Sequence, residues 1–179
     1  MLFKTTSDDV PLSLVTFPAC MATVLGFKPE AIVLPANSAI PLSDSIRGFY
    51  ETLSIEIPRI GFIRSDTSVS GFGVPPEVTQ KRVDEEIPRL RTMLDGLKRV
   101  AILDHYTSSH YTSRLARTML NLAGFENVLL CDGNVKWYAG IPPAAVAQLD
   151  VPRMTSPASK EFMYDLGVEA AKLAFEPAL

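Results

Sequence analysis

Residues 100–112 read Val-Ala-Ile-Leu-Asp-His-Tyr-Thr-Ser-Ser-His-Tyr-Thr. Four apolar residues deliver an acid, Asp104, and a hydroxyl-rich loop then runs into a segment with Arg114, Leu115, Ala116 and Met119. A short apolar run bounded by a polar loop reads as a buried strand, and the segment after it has helical spacing. A strand that ends on an acid and opens onto a helix N-terminus suits a phosphorylated ligand. Free backbone N–H groups and the positive end of the helix dipole attract an anion there. Ser108, Ser109 and Thr112 add hydroxyl donors of small bulk. An ordinary strand-to-helix turn, in which a Ser or Thr merely caps the helix, has the same pattern.

Outward from this stretch, strands and helices alternate. The run 31–35 (Ala-Ile-Val-Leu-Pro) is a strand, and Ala36, Asn37, Ser38 and Ala39 lead from it into a helix over 41–53. Leu42, Ile46, Phe49 and Leu53 recur at helical spacing and give that helix its buried face. Residues 55–64 read as a strand, with Pro58 near its start. Residues 65–78 hold small polar residues, two glycines and Pro75-Pro76, and the pattern predicts a loop or flap. A helix follows with Val83, Ile87, Leu90, Leu94 and Leu97 on one side, and Pro88 predicts a start near Glu86 or a kink. A second unit has a strand at 99–103, a helix at 112–123 and a strand at 127–131. The helix carries Leu115, Ala116, Met119, Leu122 and Ala123 on one face, and Gly124 sits at the left-handed C-cap position. Residues 139–158 are proline-rich and irregular, and a helix over 159–175 carries Phe162, Leu166, Ala170 and Leu173 as its stripe. Such alternation predicts one α/β domain over 1–179, with a mostly parallel sheet flanked by helices. Segments 1–30 and 132–158 are expected to be peripheral.

Composition narrows the function. The 179 residues are 47% hydrophobic, enough for one well-cored domain. A net charge of −3 argues against a nucleic-acid surface, which needs a basic face. Cys20 and Cys131 are too few and too far apart for a disulfide framework or a zinc site, which points to a reducing compartment. No signal peptide is apparent at the N-terminus. The apolar stretch 12–27 is broken by Pro18 and polar residues, short of the ~20 apolar residues of a membrane helix. A soluble cytoplasmic protein is the default expectation, with a homodimer the commonest assembly. The P-loop, dinucleotide-fold, nucleophile-elbow and zinc-protease motifs are all absent from the sequence.

The loop after the strand resembles the phosphoribosyl-diphosphate (PRPP) loop of type I phosphoribosyltransferases: apolar strand, two acids, two variable residues, a small polar pair, glycine, a variable residue and a hydroxyl. Asp104 matches the first acid, Ser108 and Ser109 the polar pair, and Thr112 the final hydroxyl. His105 stands where the second acid belongs, and His110 where the glycine belongs. The resemblance implies a type I phosphoribosyltransferase-like fold with a small hood. It also implies transfer of a phosphoribosyl group from PRPP to a nitrogenous base, with Mg²⁺ bridging the diphosphate. Asp104 would then hold the ribose, and Thr107, Ser108, Ser109, His110, Tyr111 and Thr112 the 5′-phosphate. The alternative is a non-catalytic member of the same fold that binds a nucleotide or phosphosugar as a sensor or scaffold. His105 and His110 favour that alternative because they fall on the ligand loop. An unrelated α/β phosphoester-binding enzyme is a third reading.

Further candidates follow from position. Ligands of parallel sheets bind beyond the carboxyl ends of the strands, so the loop 36–40, the flap after Arg64 and the loop 104–111 are expected at one mouth. Asn37 and Ser38 can present an amide and backbone N–H groups to a diphosphate, or can simply cap the next helix. Arg64, Lys81 and Arg82 can neutralise phosphate charge, although such residues on a helix are commonly solvated. In the resembled family a residue near Trp137 and Tyr138 stacks on the nucleobase; a core or interface aromatic pair is the other reading. His105, His110, Cys131 and Asp132 do not have the spacing of a metal site, and none is expected.

Overall fold

The apolar runs assemble into one sheet. The computed structural model describes residues 12–35, 42–65, 76–104, 111–132 and 157–175. Its elements in chain order are α1 (Leu12–Phe27), β1 (Ala31–Pro35), α2 (Leu42–Thr52), β2 (Arg59–Ile63), α3 (Pro76–Met93), β3 (Arg99–Asp104), α4 (Tyr111–Ala123), β4 (Asn127–Asp132) and α5 (Pro157–Phe175). The four strands pair in the order β2-β1-β3-β4, every pair parallel. The protein is therefore α/β, as the alternation predicts.

Alternation along each strand sends side chains to two separate cores. Ile32 and Leu34 of β1, Ala101 and Leu103 of β3 and Cys131 of β4 join Phe17, Met21 and Val24 of α1, Ile46 and Phe49 of α2, and Leu166 and Ala170 of α5. On the other face Ala31, Val33, Ile63, Val100 and Ile102 meet Val83 and Leu90 of α3, Leu94 just past it, and Ala116, Met119 and Leu120 of α4. Covering both faces is what allows β1 to be apolar at every position, and all five of its residues are buried.

Several boundaries differ from expectation, each for a local reason. Residues 12–27 are a helix, and Phe17, Met21 and Val24 belong to the first core, so this part of segment 1–30 is not peripheral. Its apolar residues run nearly all round, which is the pattern of a buried helix and leaves no period to read. Strand β2 starts only at Arg59, because Ser54 turns at φ 55° to end α2 and Pro58 has no N–H for a ladder. Helix α3 starts at Pro76, a favourable first-turn position for proline, and runs through Pro88 to Met93. Residues 76–78 are thus helical rather than flap, and residues 66–75 of the expected flap lie outside the described residues. On α4 Leu120 is buried beside Ala116, Met119 and Ala123, and the expected Leu122 is exposed. Gly124 does end α4 at φ 103°: its N–H reaches the Asn121 carbonyl and the Phe125 N–H reaches Leu120, both at 3.0 Å.

Helix α5 buries Leu166 and Ala170 of its expected stripe but not Leu173, and the side chain of Phe162 lies outside those described. The buried residues of the helix are Met163, Leu166, Gly167, Ala170 and Ala171. The reason for this face is a close approach to α2. A β-carbon on Gly167 would lie 1.9 Å from the Ser45 carbonyl oxygen, and one on Gly48 would lie 2.2 Å from that of Tyr164. Buried Ser45 closes the seam by donating its hydroxyl to the Met163 carbonyl at 2.6 Å. At such a distance the contact face must be built from small residues.

This predicts opposite outcomes for two glycine substitutions. Gly167→Ala should destabilise the protein by about 1–3 kcal/mol or more, because the backbone clash outweighs the ~1 kcal/mol of helix propensity gained. Exposed Gly26 of α1 has nothing within 4 Å of its would-be β-carbon. Gly26→Ala should therefore stabilise by up to ~1 kcal/mol. Parallel urea unfolding curves of the two variants check both.

Candidate functional site

Because all four strands run the same way, their carboxyl ends share one edge of the sheet. Register pairs Pro35 of β1 with Ile63 of β2, and Asp104 of β3 with Asp132 of β4. The chain crosses from β1 outward to β2, then returns past β1 to β3 and continues to β4. Strand order thus reverses between β1 and β3, and the crevice beyond their carboxyl ends is the position where open α/β sheets take ligands. Asp104 stands at this point. It is the last residue of β3 and is 2% exposed.

Helix α4 begins at Tyr111, so Tyr111, Thr112 and Ser113 form its first turn. Thr112 is half-buried and Ser113 is buried. The remaining loop candidates Thr107, Ser108, Ser109 and His110, together with His105, lie outside the described residues, as do Asn37, Ser38, Trp137 and Tyr138.

The cationic candidates are placed by α3, which runs back along β2. The Arg64 N–H donates to Glu86 Oε1 at 2.9 Å, and the Arg59 guanidinium donates to the Met93 carbonyl at 2.8 Å. Glu86 is therefore level with the carboxyl end of β2, and Met93 with its start. Lys81 lies five residues before Glu86, about 7 Å further along the helix axis on the carboxyl-edge side. Its amine is 3.9 Å from Glu85, and both side chains are exposed, an ion pair of little strength. Arg82 is half-buried and makes an interaction of its own. Arg64, one residue past β2, is exposed.

Burial reveals residues that the sequence pattern did not single out. The buried polar or charged side chains among the described residues are Ser45, Ser65, Glu86, Asp104 and Ser113. Ser45 serves the seam between α2 and α5, and the other four all belong to the carboxyl edge. Ser65 is wholly buried two residues past β2, and its Oγ has no hydrogen-bond partner among the described residues. Glu86 does have partners: the Arg64 N–H, and Arg89, whose Nε donates to Oε1 at 3.0 Å. Burial pushes the Glu86 carboxyl up, but the hydrogen bonds from Arg89 and Arg64 outweigh it and hold the group below its ordinary value. One signal was readable: Glu86 falls three residues after Val83 and four before Leu90, on the apolar stripe itself.

The amino edge is built differently. A cleft of about 530 Å³ opens there between Pro29, Glu30, Pro58, Arg59 and Leu97. Glu30 is engaged in structure, accepting from the backbone N–H groups of Lys98 and Arg99 at 2.7 and 2.8 Å, which lowers its pKa. No cluster of three His, Cys, Asp or Glu side chains able to hold a metal occurs among the described residues. No described helix is long and apolar enough to cross a membrane. No family model, curated protein or solved structure matches the chain.

The Glu86 arrangement makes stability depend on pH. A carboxyl lowered in the folded state contributes its stability in full above its unfolded pKa, near 4.5, and loses it as pH falls through the folded value. Glu86→Gln should cost on the order of 1–3 kcal/mol at neutral pH, the worth of hydrogen bonds to a charged group. The gap between wild type and variant should close as the pH drops below that range. Urea unfolding from neutral to acid pH measures it, and a gap that stays constant would contradict the assignment.

Proposed function

We propose that this protein binds a phosphorylated ribose compound, PRPP or a nucleotide, beyond the carboxyl edge of its sheet. The reading makes it a type I phosphoribosyltransferase-like protein. The observation that carries it is the position of Asp104: a buried acid on the last residue of β3, at the reversal of strand order, seven residues before the first turn of α4. In this reading Asp104 holds the ribose hydroxyls, and the N-terminus of α4, with Thr112, faces the 5′-phosphate. Arg64, Lys81 and Arg82 supply positive charge toward the diphosphate. Mg²⁺ would arrive on the diphosphate, which would provide most of its ligands, with Asp104 as the residue that would add to them. Transfer to a nitrogenous acceptor passes through a cation at the sugar, so the chain's part is to position the ribose, hold the leaving diphosphate and exclude water.

A second reading keeps the ligand and drops the chemistry. His105 and His110 replace an acid and a glycine of the resembled motif, and both changes fall on the ligand loop. A sensor or scaffold that binds PRPP or a nucleotide without turnover fits those two residues.

Calorimetric titration with PRPP and Mg²⁺ separates these outcomes. Wild type should bind in the micromolar range, and Asp104→Asn should bind at least roughly tenfold more weakly. Because Asp104 is buried, the melting temperature of the variant is recorded alongside; a folded variant with undiminished affinity removes Asp104 from the site. Absence of wild-type binding to both PRPP and nucleotides would overturn the proposal. Binding without release of diphosphate, across a panel of purine and pyrimidine bases, selects the second reading.

A further inference from the structure

Among the described residues β2 ends the sheet on one side, its inner edge paired with β1. An open strand edge presents N–H and C=O groups that template pairing with another chain. On β2 the exposed residues Phe62 and Arg64 flank buried Ile63. The carbonyl before a residue and the N–H after it are the pair of groups that an adjacent strand engages. Here both are taken by α3. The Arg89 guanidinium Nη2 donates to the Phe62 carbonyl, and Glu86 Oε1 accepts from the Arg64 N–H at 2.9 Å. The two side chains are also bonded to each other, with Arg89 Nε 3.0 Å from Glu86 Oε1. One donor and one acceptor, locked together, thus meet β2 as a neighbouring strand would.

We propose that Glu86 and Arg89 form a built-in cap on the edge of β2, closing it to strand addition by a second copy of this chain. The second copy is the specific threat because the uncapped groups are self-complementary. Antiparallel pairing of β2 with its own copy about Ile63 joins each Phe62 carbonyl to the other copy's Arg64 N–H. Phe62, 37% exposed on an edge strand, adds apolar surface that favours such a contact. The cap occupies both groups through a pair held in register by α3, one helical turn apart.

The test replaces the pair by apolar residues of similar shape, Glu86→Leu with Arg89→Met, which avoids leaving one charge buried alone. Mass is measured by light scattering over a concentration series, with circular dichroism confirming the fold. The double variant should self-associate at least roughly tenfold more tightly than wild type. Adding Arg64→Pro, which removes the N–H the pairing needs and is tolerated on an edge strand, should return the mass to the wild-type value. A folded double variant with wild-type mass throughout overturns the proposal, as does association that survives Arg64→Pro. If the double variant does not fold, Arg89→Lys carries the test: it keeps a charge for Glu86 but loses the fork that reaches Phe62. A rise in association then supports the cap, and wild-type mass overturns it.

Discussion

Two helix backbones in direct contact set the terms for half of this molecule. At the seam of α2 and α5, Gly48 lies against the Tyr164 carbonyl and Gly167 against that of Ser45. Any side chain larger than hydrogen at either place would part the helices. The closeness lets the Ser45 hydroxyl reach the Met163 carbonyl and brings the Tyr164 hydroxyl within 2.7 Å of Glu51 on the exposed side. It also decides which residues of α5 turn inward, since only a face of Gly167, Ala170 and Ala171 can lie so near. The large apolar residues of α2, Ile46 and Phe49, belong to one buried cluster with residues of α1, α5 and the sheet.

The two edges of the sheet divide the work of the fold. At the amino edge, polar groups are spent on holding connections: Glu30 ties residues 98 and 99, and Arg59 ties the end of α3. Arg91 likewise reaches the Leu122 and Ala123 carbonyls at the end of α4, both at 3.2 Å. At the carboxyl edge buried polarity collects instead, in Ser65, Glu86, Asp104 and Ser113. Of these, Glu86 is compensated by the Arg64 N–H and Arg89, and the wholly buried Ser65 hydroxyl has no hydrogen-bond partner among the described residues.

How much of this was legible in the residues depended on whether a segment had one neighbour or two. The strands 31–35 and 99–104, the apolar face of α2 and the end of α4 at Gly124 read directly, because local period and turn chemistry agree there. Helix α1 did not read, since its apolar residues run nearly all round, exposed Ala22 included, and leave no polar side to set its period, and Pro18 looked like a break. The stripe of α5 read only in part. Leu166 and Ala170 are inward as expected, but Gly167 and Ala171 join them and Leu173 does not, because fit to α2, more than a hundred residues earlier in the chain, narrows the face. At the site, Asp104 was visible because an acid closing an apolar strand stands out. Glu86 was hinted at by its place on the apolar stripe of α3, whereas Ser65 and Ser113 were not visible, because their burial comes from tertiary packing.

The seam also orders events in time. Ser45 and Met163 are separated by 118 positions, so α2 is made long before the surface it fits. Until α5 has left the ribosome, the surface around Gly48 and Phe49 lacks the partner that closes on it among the described residues. The sheet and the α3–α4 layer can gather during synthesis, since their contacts are complete by residue 132. The opposite layer, begun by α1 and α2, is completed only once residues 157–175 have been made and can dock on them.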